Sequence, residues 1–327
     1  MSNLRKISFV LIFALLLPCF ALISCSDRPD SDDGKFTVVC SIFPQYDFCR
    51  IITGGEDEVI LLQENGTDMH SYEPTSRDIL TIAKADMLIY TGGSSDAWVE
   101  GVLRSADNEK IITAALFDYA ELLGSDELEA EHDHPHDAGH DHADGEVCGE
   151  YDEHVWTSPK NAIRIVEGLC EELCRANPYG SDRYRKNTAE YIEKLKELDA
   201  SYEQFFSSVN PTLIVADRFP FLYLVQDYDV HYHAAFSGCS SETGASFEVV
   251  LSLIDKVKES GAGVVFDTDA SGSDVAKRVA GECSADIKTL YSCQSVTRAQ
   301  LESGVSYISF MEQNLETLRE AYKNDNI

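Results

Sequence analysis

Between Asp182 and Ser208, apolar and aromatic residues recur at Tyr184, Tyr191, Ile192, Leu195, Leu198, Tyr202, Phe205 and Phe206. Spacings of three and four trace one face of a helix. At 1.5 Å per residue such a helix spans roughly 40 Å, longer than one small lobe requires. On either side of it, short apolar runs alternate with amphipathic segments. Upstream, Phe36–Ser41, Glu58–Leu62, Asp86–Tyr90 and Lys110–Thr113 read as strands. The segments Tyr46–Ile52, Arg77–Lys84 (N-capped by Ser76) and Ser94–Ala106 read as helices, and Pro159 opens another that runs to Ala176. Downstream, Thr212–Ala216, Val230–Phe236, Gly263–Phe266 and Ile287–Tyr291 read as strands, separated by helices over 218–228, 247–260 and 274–283 and closed by one over 307–323. Strands alternating with helices predict parallel sheets. The expected fold is α/β, with an N-terminal lobe over 36–180 and a C-terminal lobe over 210–327. Each lobe has a parallel β-sheet flanked by helices, and one long rigid spine helix over 181–209 joins them. Ligands of such sheets bind at the loops beyond the strands' carboxyl ends.

One stretch has no apolar face at all. Six of the nine histidines lie between Glu131 and Trp156: His132, His134, His136, His140, His142 and His154. No Lys or Arg occurs between Lys110 and Lys160. Imidazoles interleaved with carboxylates attract divalent metal ions. Pro135, Gly139 and Gly145 predict a solvated loop over 131–144 that collects ions without a defined geometry. His154 differs, because Val155 and Trp156 resume the apolar pattern and ordered backbone can hold a ligand in place.

Arg5 and Lys6 precede an apolar run ending in Leu22-Ile23-Ser24-Cys25. This reads as a lipoprotein signal over 1–24, a lipidated Cys25 and a polar tether to residue 35, so the protein is expected to be extracytoplasmic and anchored to a bacterial membrane by lipid. The net charge of −31 becomes −33 once those two cations leave, which argues against nucleic acid and anionic headgroups and favours cations. Eight of the ten cysteines remain after Cys19 and Cys25 are set aside, too many to pair by inspection. No C-x-x-C occurs among them, which argues against a thiolate zinc site.

Three residues stand out as inner-sphere ligands, each following or ending a strand-like segment: His70 in D-M-H-S-Y-E-P-T, His154 in D-E-H-V-W, and Asp217 after Leu213–Ala216. Taken together, G-T-D-M-H-S-Y-E-P-T with A-K-A-D-M-L-I-Y, the histidine-rich insert just before D-E-H-V-W-T-S-P-K-N-A, and S-Y-I-S-F-M-E-Q-N-L resemble one family over nearly all of residues 36–323. It is the family of zinc and manganese receptor lipoproteins of bacterial ABC importers. The resemblance implies that His70 and His154 are the ligands of the N-terminal lobe. It departs in the C-terminal lobe, where Asp217 replaces the histidine of zinc members or the glutamate of manganese members. The family's late acidic position falls on Gln294, a poor zinc ligand, so His231, His233, Glu242 or Glu248 are candidate substitutes.

The expected function is therefore capture of Zn2+, with Mn2+ the alternative, and its delivery to an ABC permease and its ATPase subunit by a monomeric receptor without enzymatic activity. A secreted zinc hydrolase is the competing class, since two histidines and a carboxylate also describe a catalytic site. No H-E-x-x-H occurs, and Glu153, read as a supporting or solvent-facing residue, is the only acid adjacent to a ligand. A metal buffer or surface interaction protein without a transporter is the third class.

Overall fold

Thr37–Cys40 (β1) is buried at every position, as expected of a parallel strand covered on both faces. The computed structural model describes residues 35–63, 66–124, 150–239, 245–269 and 271–323. After β1 come α1 (Phe43–Thr53), β2 (Glu58–Leu61), α2 (Ser76–Lys84), β3 (Met87–Tyr90), α3 (Trp98–Ala106) and β4 (Ile112–Ala115). These strands make one parallel sheet in the order β2-β1-β3-β4. Two helices follow, α4 (Pro159–Ala176) and α5 (Ser181–Val209), the latter 29 residues long. The second lobe contains β5 (Thr212–Phe219), α6 (Leu222–Asp227), β6 (His231–Ser237), α7 (Phe247–Ser260), β7 (Val264–Thr268), α8 (Asp274–Cys283), β8 (Asp286–Leu290), α9 (Arg298–Glu302) and α10 (Tyr307–Ala321). Its sheet is also parallel, in the order β6-β5-β7-β8. Both sheets thus switch direction beside their first strand, the arrangement that opens a crevice at the carboxyl ends.

Strand periodicity divides the core. Val38, Cys40, Met87 and Ile89 join Leu213 and Val215 in one apolar cluster that runs through both lobes. Their neighbours Val39 and Leu88 face a separate cluster with Ile82, Val99 and Val102. Ile214 and Ala216 face another, with Val250, Leu253 and Val279. Successive side chains of a strand point to opposite faces, so each sheet packs the shared core on one side and its own helices on the other. The spine α5 seats in the shared core through Tyr191, Leu195, Leu198 and Phe206. Near its start the Tyr184 hydroxyl donates to Asp57 Oδ2 (2.6 Å), and Arg183 Nε donates to Thr53 O (2.8 Å), both in the first lobe. Near its end the Tyr202 hydroxyl donates to Met311 O on α10 (2.7 Å). No described helix is long and apolar enough to cross a membrane.

Three local readings change. The cap of α2 is Thr75, whose side chain accepts from Asp78 N while Asp78 accepts from Thr75 N, a capping box one residue earlier than Ser76. Strand β4 lies at Ile112–Ala115 rather than Lys110–Thr113, because pairing of Met87 with Ile112 and Tyr90 with Ala115 sets the register. Arg218 and Phe219, expected to begin a helix, extend β5. A bulge between Val215 and Arg218 restores pairing of Phe219 with Ser237, and Pro220 disfavours a helical Phe219. The short α9 was not anticipated. The expected signal, Cys25 and the tether through Gly34 lie outside the described residues.

Tyr202 is fully buried and stacks on Phe206 and Tyr228 at centroid separations of 6.0 and 5.8 Å. In urea unfolding, Tyr202→Phe should cost about 1 kcal/mol for the lost hydrogen bond, and Tyr202→Ala about 3–5 kcal/mol for the cavity. A cost for alanine under about 1 kcal/mol would mean that this ring does not seat the spine.

Candidate metal centre

His70 sits in the single 3-10 turn Met69–Ser71 that follows the loop after β2. Asp68 caps the turn by accepting from His70 N (3.0 Å). Ser95, from the 3-10 turn Ser94–Asp96 after β3, places its hydroxyl 2.9 Å from His70 Nδ1. His154 precedes a third such turn, Val155–Thr157, and is 1% exposed. Its backbone N donates to Asp152 Oδ1 (2.9 Å), and its Nδ1 lies 3.2 Å from the same oxygen. With both Nδ1 atoms engaged, the two Nε2 atoms face one another at 3.3 Å. Orienting one ring nitrogen by a carboxylate or hydroxyl leaves the other as the lone-pair donor.

The electrostatics around this pair are unusual. Asp152 and Glu153 are 1% and 0% exposed. Glu153 Oε1 accepts from Ser94 Oγ (2.6 Å) and Ser95 N (3.0 Å), steadying the turn that contacts His70. It is buried, so the solvent-facing option for Glu153 is withdrawn. Gly93 makes room for it, since a Cβ there would lie 2.4 Å from Glu153 Cδ. Asp152 Oδ2 and Glu153 Oε2 are buried and have no hydrogen-bond partner among the described residues. Buried carboxylate oxygens without partners are costly unless a cation is near. Burial, then the neighbouring His154, pushes His70 down to about 4. Burial also pulls His154 down, but Asp152, Glu153 and Asp269 outweigh it and hold the group above its ordinary value.

Both lobes clasp the His154 segment. Tyr223 OH donates to Asp152 O (2.7 Å), Trp156 Nε1 to Ser292 O (2.8 Å) and Tyr307 OH to Trp156 O (2.7 Å). Arg218 Nη1 reaches across to Asp68, the cap of the His70 turn. Gly124 and Tyr151 form an isolated antiparallel bridge, and Asp152 N donates to Leu123 O (3.1 Å). The histidine-rich insert therefore leaves and rejoins the described chain beside His154.

Among the described residues, the histidine, cysteine and acidic side chains that converge within 4.8 Å are His70, His154 and Cys239. Asp217 is not in that group: Oδ1 accepts from Arg218 N (2.9 Å), and Oδ2 accepts from Thr268 N (3.1 Å) and from Ser271 Oγ. His231 and His233 lie at the amino end of β6, away from the strand end that Cys239 follows, and Glu248 lies in the first turn of α7; none of the three is in the group. Gln294 donates its backbone N to Ser292 Oγ (3.2 Å). Glu242 and the histidines at 132, 134, 136, 140 and 142 lie outside the described residues. Two residues near the imidazole pair, Cys239 and Asp269, do not stand out in the sequence. Asp269 adopts a left-handed φ of 52° and accepts from Ser292 N (2.8 Å) and Ser292 Oγ (2.6 Å). Both residues follow strand ends, and that position was the available signal.

Gly238 lies against this centre. A Cβ there would meet Phe219 O at 2.8 Å and His154 Cε1 at 3.0 Å. Gly238→Ala should therefore displace the Cys239 loop and lower metal affinity at least about tenfold, since ligand geometry is tightly coupled to affinity. Titration calorimetry is the check, and unchanged affinity would mean that the loop does not bear on the centre.

Comparison with known proteins completes the picture. A family model described as "ZnuA: Zinc-uptake complex component A periplasmic" matches residues 38–321. The zinc-binding lipoprotein AdcA of Streptococcus pneumoniae is 32% identical over 318 residues, covering 97% of this chain and 61% of that protein. The chain thus spans less than two thirds of the length of that relative. The high-affinity zinc uptake system protein ZnuA of Bacillus subtilis is 27% identical, covering 94% of this chain and 96% of that protein. The crystal structure of the Zn(II)-bound ZnuA-like domain of S. pneumoniae AdcA superposes with a TM-score of 0.72 at 27% identity, covering 89% of this chain and all of that one. The shared architecture, the paired imidazoles and a match over 38–321 together place this chain in the ZnuA family.

Proposed function

We propose that the protein is an extracytoplasmic receptor that captures zinc as its cargo and passes it to an ABC permease driven by an ATPase subunit. The observation that carries this is the 3.3 Å separation of His70 Nε2 and His154 Nε2. Two nitrogens each about 2.0–2.1 Å from one tetrahedral zinc ion stand about 3.3 Å apart. The same pair lies beside carboxylate oxygens of Asp152 and Glu153 that have no hydrogen-bond partner among the described residues, and whose negative charge a dication offsets. The names of the AdcA and ZnuA relatives, and the zinc in the AdcA domain structure, support the same cargo. Lipid attachment at Cys25 would keep the receptor beside its permease as a monomer.

Imidazole donors favour zinc over manganese, which prefers oxygen-rich sites. A hydrolase would need a general base aimed at an open coordination position. Glu153, the acid next to a ligand, instead holds the Ser94–Asp96 turn through Oε1. The histidine-rich insert, rooted at Gly124 and Tyr151, is suited to raising the local zinc concentration next to the centre.

The test is calorimetric titration of the full chain with zinc. His70→Ala and His154→Ala should each lower the affinity of one tight equivalent at least about a hundredfold, because each removes a direct ligand. Wild-type affinity in both variants would remove these residues from the site. Deleting residues 131–144 should abolish weak extra equivalents and leave the tight one, because a loop must be ordered around each ion whereas a preformed cleft need not be. Loss of the tight equivalent with the insert would make the insert the principal site.

A further inference from the structure

Two imidazoles from the N-terminal lobe leave a tetrahedral cation open on its other side, and the C-terminal lobe faces that side. We propose that Cys239 is the C-terminal lobe's ligand, and that its thiolate makes the centre select zinc over manganese. This rests on the receptor reading above and adds a residue and a selectivity to it.

Cys239 lies two residues beyond β6 at its carboxyl end, where the β5–β6 register closes with Phe219 opposite Ser237. Gly238 then carries the backbone against Phe219 O and the His154 ring, closer than any side chain allows. That approach delivers the half-buried Cys239 Sγ to within 4.8 Å of a ring nitrogen of both His70 and His154. A thiolate about 2.3 Å from a tetrahedral zinc lies about 3.5 Å from each nitrogen ligand, so a contraction of roughly an ångström completes the geometry. Asp217, the other acceptor of this lobe with a claim to the metal, already takes hydrogen bonds on both oxygens. On binding, the thiol proton passes to solvent and the sulfur–zinc bond forms. Soft sulfur suits zinc, while manganese prefers carboxylate, carbonyl and water oxygens. A site of two imidazoles and one thiolate therefore disfavours manganese at the ligand itself.

The test uses the full chain, reduced and stripped of metal. Cobalt(II), which takes zinc's place in such sites, serves as the optical probe. Wild type should develop a near-ultraviolet thiolate-to-cobalt charge-transfer band that saturates at one equivalent, and Cys239→Ser should lack that band. Zinc affinity of Cys239→Ser, measured by chelator competition, should fall at least about a hundredfold, with the melting temperature of the metal-free protein unchanged. Cys239→Asp, which substitutes oxygen for sulfur, should lower the zinc-to-manganese affinity ratio at least about tenfold. A charge-transfer band that persists in Cys239→Ser, or zinc affinity within about threefold of wild type, overturns the assignment. A wild-type chain without any tight zinc equivalent overturns the receptor reading itself, whereas a tight site that survives Cys239→Ser overturns only the role of Cys239.

Discussion

Two buried carboxylates beside two facing imidazoles are the constraint around which this protein is arranged. Asp152 orients His154, and Glu153 holds the turn whose Ser95 contacts His70. Each acid keeps one buried oxygen without a hydrogen-bond partner among the described residues. Such groups destabilise a fold unless a positive charge offsets them. The rest of the His154 segment is held by hydrogen bonds with Tyr223, Ser292 and Tyr307.

The two sheets have the same strand order, and that order brings the site together. His70, Ser95, Asp217, Cys239 and Asp269 all lie in or after the last residues of parallel strands, where backbone amides and short loops converge. The spine α5 and a core continuous through both lobes hold these loop ends opposite one another. The Arg218–Asp68 ion pair adds a polar link across the cleft at the cap of the His70 turn. A core this apolar and continuous through both lobes opposes wide separation of the lobes.

Much of this was legible in the residues alone. The alternation of strands and helices, the spine, and the two histidines are local signals: a period, a turn, a histidine where apolar pattern resumes. Each depends on residues within a few positions of one another. The fold class and the His70–His154 pair followed from such patterns. The boundaries of β4 and β5 did not, because sheet pairing and the bulge before Arg218 overrode local preference.

The sequence by itself determined which donors the N-terminal lobe could offer, since His70 and His154 are each held by a neighbour two residues away, Asp68 and Asp152. Only the tertiary structure decided what faces them. Asp217 follows the apolar run Leu213–Ala216 and lies near the carboxyl end of β5. Yet its oxygens are drawn to Thr268, Ser271 and Arg218, while Cys239 is carried to the imidazoles by Gly238 passing where no Cβ fits. That arrangement depends on contacts between residues more than 80 positions apart, such as Gly238 with His154. No periodicity, cap or motif encodes so long a separation, because it is set by how the two sheets pack along one helix.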